Sequence, residues 1–489
     1  MVIILALMWC SLAVARLPAR EFPPFAPSPQ PPTVPIPVVR TLANGLQVAI
    51  LARHALPLVT LTVAIRTGAE ADPPDLPGTA QFLASLLGEG TTHRSAQRVA
   101  ELVDGAGGTL DTGAEWDDSY ATLSVLSDHT KLAFDLLSDV VLHPKFSAQQ
   151  VERVRRQTLS ALDVLRHDPG YLADTVVERM VFEGTPYAHP EDGVEQSVRL
   201  ITPADLAAFH ARFYQPANAV LVVTGDVTTN QAMEFARRYF GGWKGKGKFS
   251  QPPVRPQPAP GGRKIVVIDD PGAVQTEIRI ANPAAGRRSK EYAALSVANQ
   301  ILGGPAENLL FGALRRRRGL VYGASSDLVC YRSAGAWEAK TSAPTSDTIE
   351  AIRLILKEMW ELRRHALGES DLGMAQNYLI GHMALEFDAS DKIADRVLDL
   401  MIYNLPFDYW SHFPAEIRGL TRQEVLAATR RYLDPRRAAI VLVGNAADFQ
   451  QGLSSFGSVR VIPLSRIDLA AANLEVPATP EPAQTAGQN

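Results

Sequence analysis

The chain has 489 residues and a formal net charge of -4, and 46% of its residues are hydrophobic while 20% are charged. This length is typical of a soluble protein with two large domains or about three of average size. The near balance of charge argues against nucleic-acid binding, which needs a concentrated positive excess. Two cysteines, Cys10 and Cys330, are too few for a disulfide scaffold or a thiolate zinc site.

The chain begins with an apolar run from Val2 to Ala15, which ends in a small-x-small pattern typical of signal-peptidase cleavage. The run is shorter than the roughly 20 residues that a bilayer crossing needs. We therefore expect residues 1–15 to be a signal peptide and the protein to be exported, to the periplasm or elsewhere, without a membrane span once the peptide is removed. A buried N-terminal helix is the alternative.

Three further segments have compositions that disfavour compact structure. Nine prolines between Leu17 and Pro37 favour an extended conformation, so residues 16–37 are predicted to form a strap or spacer. Residues 244–263 are rich in Pro, Gly and Lys and are predicted to link two domains. Residues 467–489 contain little to bury and are predicted to be a disordered tail.

The two parts on either side of the linker, residues 38–243 and 264–466, match each other at a constant offset. Both contain a capping Thr with an acidic residue three positions later, an amphipathic helix, a Pro, and an apolar strand that ends in Gly. This repetition indicates gene duplication. The matched pairs are Thr202 with Thr421, Arg212 with Arg431, Pro216 with Pro435 and Gly225 with Gly444, each 219 residues apart.

Each half also opens with strands and continues with helices. In the first half, Asn44-Gly45 is a hairpin signal and Leu58 to Arg66 alternates with a period of two. In the second half, the corresponding predicted strands are Lys264 to Ile268 and Thr276 to Ile280. We therefore predict an α+β fold of two duplicated domains, each a mostly antiparallel sheet backed by helices.

The order of segments in the first half resembles the M16 metallopeptidase family, which includes insulinase, pitrilysin and the mitochondrial processing peptidase. The resemblance implies a LuxS/M16 metallohydrolase-like fold whose two domains face each other across a chamber. It rests on Leu42 to Leu46, Gly68-Ala69-Glu70, Gly78 to Leu87, Gly90-Thr91, Pro186 to Pro190 and Asn218 to Gly225.

Active members of that family carry an H-x-x-E-H zinc motif on a helix. Residues at i and i+4 share one helical face, so two His ligands can hold one Zn²⁺ while the Glu at i+3 acts as general base. In this sequence the three positions are Gln81, Ala84 and Ser85, and the family's third ligand aligns with Ala161, 76 residues beyond Ser85. The resemblance therefore places a zinc site at four positions that cannot form one, and no cofactor is expected in this chain.

The second half contains Asn308 to Ser326, where a helical stripe is followed by four arginines and Gly319. Gly319 is predicted to end the helix, and Leu320 to Ala324 is predicted to be a strand. The segment resembles the family's L-R-x-x-x-G-L-x-Y signature, which implies that Arg315 and Tyr322 hold the substrate backbone and stabilise an oxyanion at the zinc site of an opposing domain. A charged helix terminus is the alternative for the arginines.

The sequence thus predicts a noncatalytic, substrate-binding subunit of an exported heterodimeric M16 zinc peptidase. The expected partners are peptides and an M16 subunit that carries H-x-x-E-H and the zinc, and no nucleic acid. An M16-fold binding or structural protein that acts without a peptidase partner is the alternative. A self-sufficient zinc peptidase would need ligands that this sequence does not have.

Overall fold

The computed structural model describes residues 29–32, 34–245, 261–305, 307–387 and 390–476. The predicted signal peptide, strap residues 16–28, linker residues 246–260 and tail residues 477–489 lie outside the described residues. Within the described ranges, no helix combines the length and the apolar character that crossing a membrane requires.

Two six-stranded, mostly antiparallel sheets form the framework, one in each half, and they confirm the predicted α+β class. The first has the order β1-β2-β6-β3-β5-β4 and the second β12-β7-β11-β8-β10-β9. The strands are β1 Val38–Thr41, β2 Gln47–Ala52, β3 Leu58–Ile65, β4 Thr109–Ala114, β5 Ser119–Leu126, β6 Ala219–Gly225, β7 Lys264–Asp269, β8 Gln275–Ala284, β9 Ala324–Cys330, β10 Gly335–Pro344, β11 Ala439–Gly444 and β12 Ser458–Pro463.

The helices follow the duplication. The capping boxes predicted at Thr202 and Thr421 are both formed, with Asp205 and Glu424 as the reciprocal acceptors. The helices are α1 Thr79–Leu87, α2 Ala96–Gly105, α3 Thr130–Leu142, α4 Ala148–Leu165, α5 Pro169–Val181, α6 Glu195–Leu200, α7 Pro203–Phe213, α8 Thr229–Phe240, α9 Tyr292–Gly303, α10 Leu309–Phe311, α11 Thr348–Arg364, α12 Glu369–Glu386, α13 Ser390–Ile402, α14 Tyr409–Gly419, α15 Arg422–Tyr432 and α16 Ala446–Leu453.

One helix from each half packs on the sheet of the other half. Helix α5 of the first half packs on β8 and β11 of the second sheet, while α13 of the second half packs on β3 and β6 of the first. Strands β6 and β11 are therefore buried on both faces, as their unbroken apolar sequences require. A separate apolar cluster fills the seam, with Val176 and Val177 from α5 against Val266 and Val441 of the second sheet.

Segments near both chain ends also connect the halves. Arg418 Nη2 donates a hydrogen bond to the carbonyl oxygen of Pro29 at 3.1 Å, so the described part of the strap lies against the second half before it enters β1. Near the other end, Arg179 of α5 donates to the carbonyl oxygens of Leu469 and Ala471. Residues 467–476, which the sequence assigns to the tail, thus pack on the first half.

The predicted strand from Leu320 to Ala324 is wrong, because β9 begins only at Ala324. Gly319 has a left-handed φ of 66°, and the amide of Leu320 donates to the Leu314 carbonyl oxygen at 3.0 Å. These contacts hold residues 320–323 against the preceding turn. Pairing with β10 therefore starts at Ala324, opposite Thr341.

Candidate functional site

Helix α1, which carries the zinc-motif positions, is held at its N-terminus by a buried carboxylate. Asp72 accepts hydrogen bonds from the amides of Gly78, at 2.6 Å, and Ala80, at 2.8 Å. Gly78 has a φ of 87° and lies against Gly193, so a side chain at Gly78 would collide with the neighbouring backbone. The helix is thus fixed in place by contacts that do not involve a metal.

Gln81, Ala84 and Ser85 lie close together on α1, and each has a different local environment. Gln81 Oε1 accepts a hydrogen bond from the amide of Ala114 at 2.7 Å. Ser85 Oγ donates to the Gln81 carbonyl oxygen at 2.9 Å, and Ala84 is fully buried. Ala161 is exposed on α4, the helix that packs against α1.

The contact from Gln81 also occupies the edge of the first sheet. Because the Glu115 amide donates to the Asp118 carbonyl oxygen, the alternating pattern of β4 and β5 points the amides of Leu110, Thr112 and Ala114 away from β5. Gln81 satisfies the last of these outward amides. The residue at the first zinc-ligand position therefore serves as a helix-to-strand contact.

These four residues do not fit a zinc ion. Two of them are alanines without a donor atom, and the polar atoms of Gln81 and Ser85 already take part in hydrogen bonds. Zinc sites in proteins use imidazole, thiolate or carboxylate groups. In the described part of the chain, no group of three His, Cys, Asp or Glu side chains is arranged to hold a metal.

Arg315 and Tyr322 lie in a compact turn of the second half. The turn starts at Asn308, whose Oδ1 accepts a hydrogen bond from the Phe311 amide at 2.7 Å. Residues Gly312–Arg316 then form a π-helical turn instead of the regular helix that the sequence predicts. This turn and Gly319 bring the two side chains together, so that the Arg315 guanidinium carbon lies 5.6 Å from the centre of the Tyr322 ring.

Both side chains are available to a ligand. Tyr322 is 91% exposed, which is unusual for a large aromatic residue. Arg315 Nη1 donates to the carbonyl oxygen of Val321 at 3.2 Å, which orients the guanidinium while most of its donors stay free. The pair predicted from the sequence is thus adjacent, oriented and accessible.

The next three arginines are paired with carboxylates. Arg316 pairs with Glu307, Arg317 with Glu358 at 3.0 Å, and Arg318 with Glu350 at 3.6 Å. Arg315 makes no ion pair with any carboxylate in the described ranges. The alternative reading, a charged helix terminus, therefore describes the three neighbours better than it describes Arg315.

A groove of about 530 Å³ lies directly beside this turn, along β9 at the edge of the second sheet. The loop Gly303-Gly304-Pro305 forms one wall and Gly323 to Asp327 the other. A side chain at Gly303 would come within 2.2 Å of the Ser326 amide, so glycine is required for this close approach. The groove therefore joins a strand edge to the site of Arg315 and Tyr322.

Charged residues line the floor of the groove. Arg279 contacts Asp174 at 2.5 Å, and Lys340 lies 3.4 Å from Asp327 and 3.6 Å from Glu338. Burial raises the pKa of Glu338 to about 8, helped by the nearby Asp174 and opposed by Lys340 and Arg279. The sequence signal for this floor is the polar alternation at Glu338, Lys340 and Ser342.

The sequence does not predict a buried ionic contact that joins the two halves. Arg332, in the β9–β10 turn, donates from Nη1 to Glu70 Oε1 at 3.1 Å and from Nη2 to the Asp117 carbonyl oxygen at 2.8 Å. Tyr331 stacks on Tyr187 at 4.8 Å, and Tyr187 donates to Asp117 Oδ1. No local pattern signals these contacts, because the residues come from four distant segments.

Comparison with known proteins gives matches over most of the chain. Residues 47–191 match the family "Insulinase (Peptidase family M16)", and residues 200–379 match "Peptidase M16 inactive domain". A protein of Mycobacterium tuberculosis named an uncharacterized zinc protease is 28% identical over 406 residues, which cover 82% of this chain and 92% of that protein. A Helicobacter pylori protein named a non-peptidase homolog is 22% identical, and the match covers 80% of this chain and 90% of that protein.

A solved structure agrees with these matches. The crystal structure of a peptidase M16 inactive domain from Pseudomonas fluorescens has a TM-score of 0.78 and 27% identity, and covers 83% of this chain and 98% of that one. The two-sheet architecture and the blank zinc-motif positions agree with this likeness. The chain therefore belongs to the M16 peptidase family, as a noncatalytic member that lacks the zinc motif.

Proposed function

We propose that the protein is the substrate-binding subunit of an exported heterodimeric M16 zinc peptidase, in which it supplies Arg315 and Tyr322 to the active site of its partner. The observation that carries this proposal is the contrast between the halves. The zinc-motif positions of the first half are closed by packing and hydrogen bonds. In the second half, the Arg315 and Tyr322 pair is preformed and exposed.

The chemistry of the pair suits the stabilisation of a tetrahedral intermediate. A guanidinium and a phenol are hydrogen-bond donors, and their bonds strengthen as negative charge develops on a carbonyl oxygen. The contact of Arg315 with the Val321 carbonyl oxygen fixes one side of the guanidinium, which reduces the entropy lost when the other side binds. The zinc and the general base would belong to an H-x-x-E-H subunit.

The groove beside β9 is suited to hold an extended peptide. Among the strands of the described residues, β9 pairs with β10 alone, so it presents backbone groups on its free side, and a peptide can add to such an edge as a further strand. Asn299 Nδ2 already donates to the Ser326 carbonyl oxygen at 3.1 Å. The alternating ladder also points the backbone groups of Ala324 and Leu328 to this free side, and Ala324 and Ser326 line the groove.

The alternative is a peptide-binding or structural protein that acts without a peptidase partner, and the same groove supports it. The two functions differ in what a partner does. If an H-x-x-E-H subunit restores peptide cleavage, the first function holds. If peptides bind this chain and no such subunit produces cleavage, the second holds.

The test combines the purified protein with an M16 chain of the same organism that carries H-x-x-E-H and follows hydrolysis of a fluorogenic peptide. The protein alone should cleave nothing and should contain no zinc by elemental analysis. Arg315→Ala should lower turnover by the mixture by at least about 10-fold, towards the roughly 100- to 1000-fold scale for the loss of an oxyanion donor. Tyr322→Phe, which keeps the ring and removes the phenol donor, should lower it less.

Arg316→Ala is the matched control, because Arg316 is the next residue, equally charged and already paired with Glu307. It should leave turnover within about two-fold of the unchanged mixture. Normal turnover by the Arg315→Ala mixture would contradict the role of Arg315. Zinc bound by this chain alone would contradict the assignment of subunits.

A further inference from the structure

Helices α11 and α15 pack against each other, and their C-terminal ends meet at a surface rich in arginine. Three Arg-Arg pairs lie at or beside this surface, one at the end of α11 and two within residues 430–437. This surface is called the arginine cluster, and it comprises Arg363, Arg364, Arg430, Arg431, Arg436 and Arg437.

Two members of the cluster have a structural role. Arg363 donates to the carbonyl oxygens of Arg430 and Leu433, while Arg430 donates from Nε and Nη2 to the carbonyl oxygens of Arg363 and Arg364, both at 3.2 Å. Each side chain thus satisfies carbonyl groups at the end of the other helix, where the helix dipole favours positive charge. Helix capping explains Arg363 and Arg430 fully.

Arg431 pairs with Glu291 at 3.0 Å, and the other members are not needed for capping. The guanidinium groups of Arg364 and Arg436 lie 4.7 and 5.7 Å from the ring centre of Trp360. The Arg436 side chain is 66% exposed although it pairs with Asp434. In the part of the chain that the structure describes, Arg364 and Arg437 pair with no carboxylate. The cluster is therefore an exposed positive surface with an indole at its centre.

The duplication shows that the fold does not require this charge. The same 3₁₀ turn occurs in both halves, as Pro216–Asn218 and Pro435–Arg437. At the constant offset of 219 residues, Ala217 of the first half stands where the second has Arg436, and Ala211 stands where it has Arg430. One copy forms the turn with Ala217 in place of Arg436, so the turn itself does not require this arginine.

We propose that the arginine cluster docks the protein onto an anionic phospholipid surface, an interaction separate from peptide binding. Guanidinium groups bind phosphate oxygens through two parallel hydrogen bonds, and cations near an anionic leaflet gain affinity additively. Contact with the Trp360 ring orients the guanidinium groups of Arg364 and Arg436 at this surface. A nucleic acid fits less well, because guanidinium groups already cover the Trp360 ring on which a base would stack.

Vesicle sedimentation tests this proposal. The full chain is mixed with vesicles of equal parts phosphatidylglycerol and phosphatidylcholine, and with vesicles of phosphatidylcholine alone. The protein should bind the anionic vesicles preferentially, and added salt should weaken that binding. The triple variant Arg364→Gln/Arg436→Gln/Arg437→Gln should bind them on the order of 100-fold more weakly, about five-fold for each arginine removed.

The matched control changes three exposed arginines of the first half, Arg98→Gln/Arg156→Gln/Arg199→Gln, which lowers the net charge by the same amount. It should bind within about three-fold of the unchanged chain. The single variant Arg437→Gln removes a side chain that forms no ion pair within the described ranges, and it should still weaken binding about five-fold. Equal binding to neutral and anionic vesicles, equal loss in both triple variants, or binding to an oligonucleotide without binding to vesicles would each overturn the proposal.

Discussion

At the scale of single residues, the first half keeps the helix of a zinc peptidase and uses its chemical face for packing. Ala84 is fully buried where the family has a general base, and Gln81 bonds the edge strand where the family has a ligand. Ala161, at the third-ligand position, faces solvent. Packing and hydrogen bonds therefore occupy the zinc-motif positions on α1, whereas the third-ligand position on α4 is exposed to solvent.

This difference predicts the outcome of one substitution at two positions. Ala84→Glu should lower the free energy of unfolding by about 2–4 kcal/mol, because it buries a carboxylate in the apolar cluster that contains Ala84. Ala161→Glu should change it by less than about 0.5 kcal/mol, since the new side chain stays in water. Urea unfolding of both variants measures the difference. Similar small losses at both positions would mean that the face of α1 is still open.

At the scale of elements, the β9–β10 hairpin connects the peptide groove to the seam between the halves. One end of β9 lines the groove, and the turn after it inserts Tyr331 and Arg332 into the first half. Arg332 neutralises two buried carboxylates, Glu70 and Asp117, at 3.1 and 3.5 Å. The position of the groove relative to the first half thus depends on one buried guanidinium.

Arg332→Ala should destabilise the protein by about 3 kcal/mol, because it leaves the charges of Glu70 and Asp117 uncompensated in a buried seam. Differential scanning calorimetry should show a lower melting temperature, with the two halves unfolding in separate steps. Arg288→Ala removes an exposed arginine of the same half and should have almost no effect. An equal melting temperature in both variants would show that the ionic contact does not hold the halves together.

At the scale of the whole molecule, the seam between the halves collects carboxyl groups. Burial, together with neighbouring carboxylates, raises the pKa of Glu191 to about 9 and of Asp118 and Glu178 to about 7. Glu191 Oε1 is buried without a hydrogen-bond partner. Near neutral pH the seam therefore holds protons that the unfolded chain would release.

The sign of the resulting pH dependence follows from linkage. A carboxyl group whose pKa is raised in the folded state stabilises that state fully below its unfolded pKa of 4.5, and this contribution is lost as the pH rises towards the folded value. The melting temperature should thus fall by several degrees between pH 5.5 and pH 8.5. Glu191→Gln should reduce this fall, and a melting temperature that rises with pH would contradict the prediction.

Much of the architecture was predictable from local patterns. Capping boxes at Thr202 and Thr421, the Asn44-Gly45 hairpin and the buried strands β6 and β11 all appear as expected, because each depends on residues close together in the sequence. The π-helical turn at Gly312–Arg316 and the late start of β9 were not predictable. They depend on contacts made after Gly319 reverses the chain.

The sequence by itself determined the duplication, the family resemblance and the blank zinc positions, since missing ligand atoms are a property of residue type alone. It also singled out Arg315 and Tyr322. Only the tertiary structure decided which of four arginines is unpaired, that a groove lies beside it, and that Arg332 crosses the seam. Those facts depend on contacts between segments far apart in the chain, and no local pattern of side chains encodes such contacts.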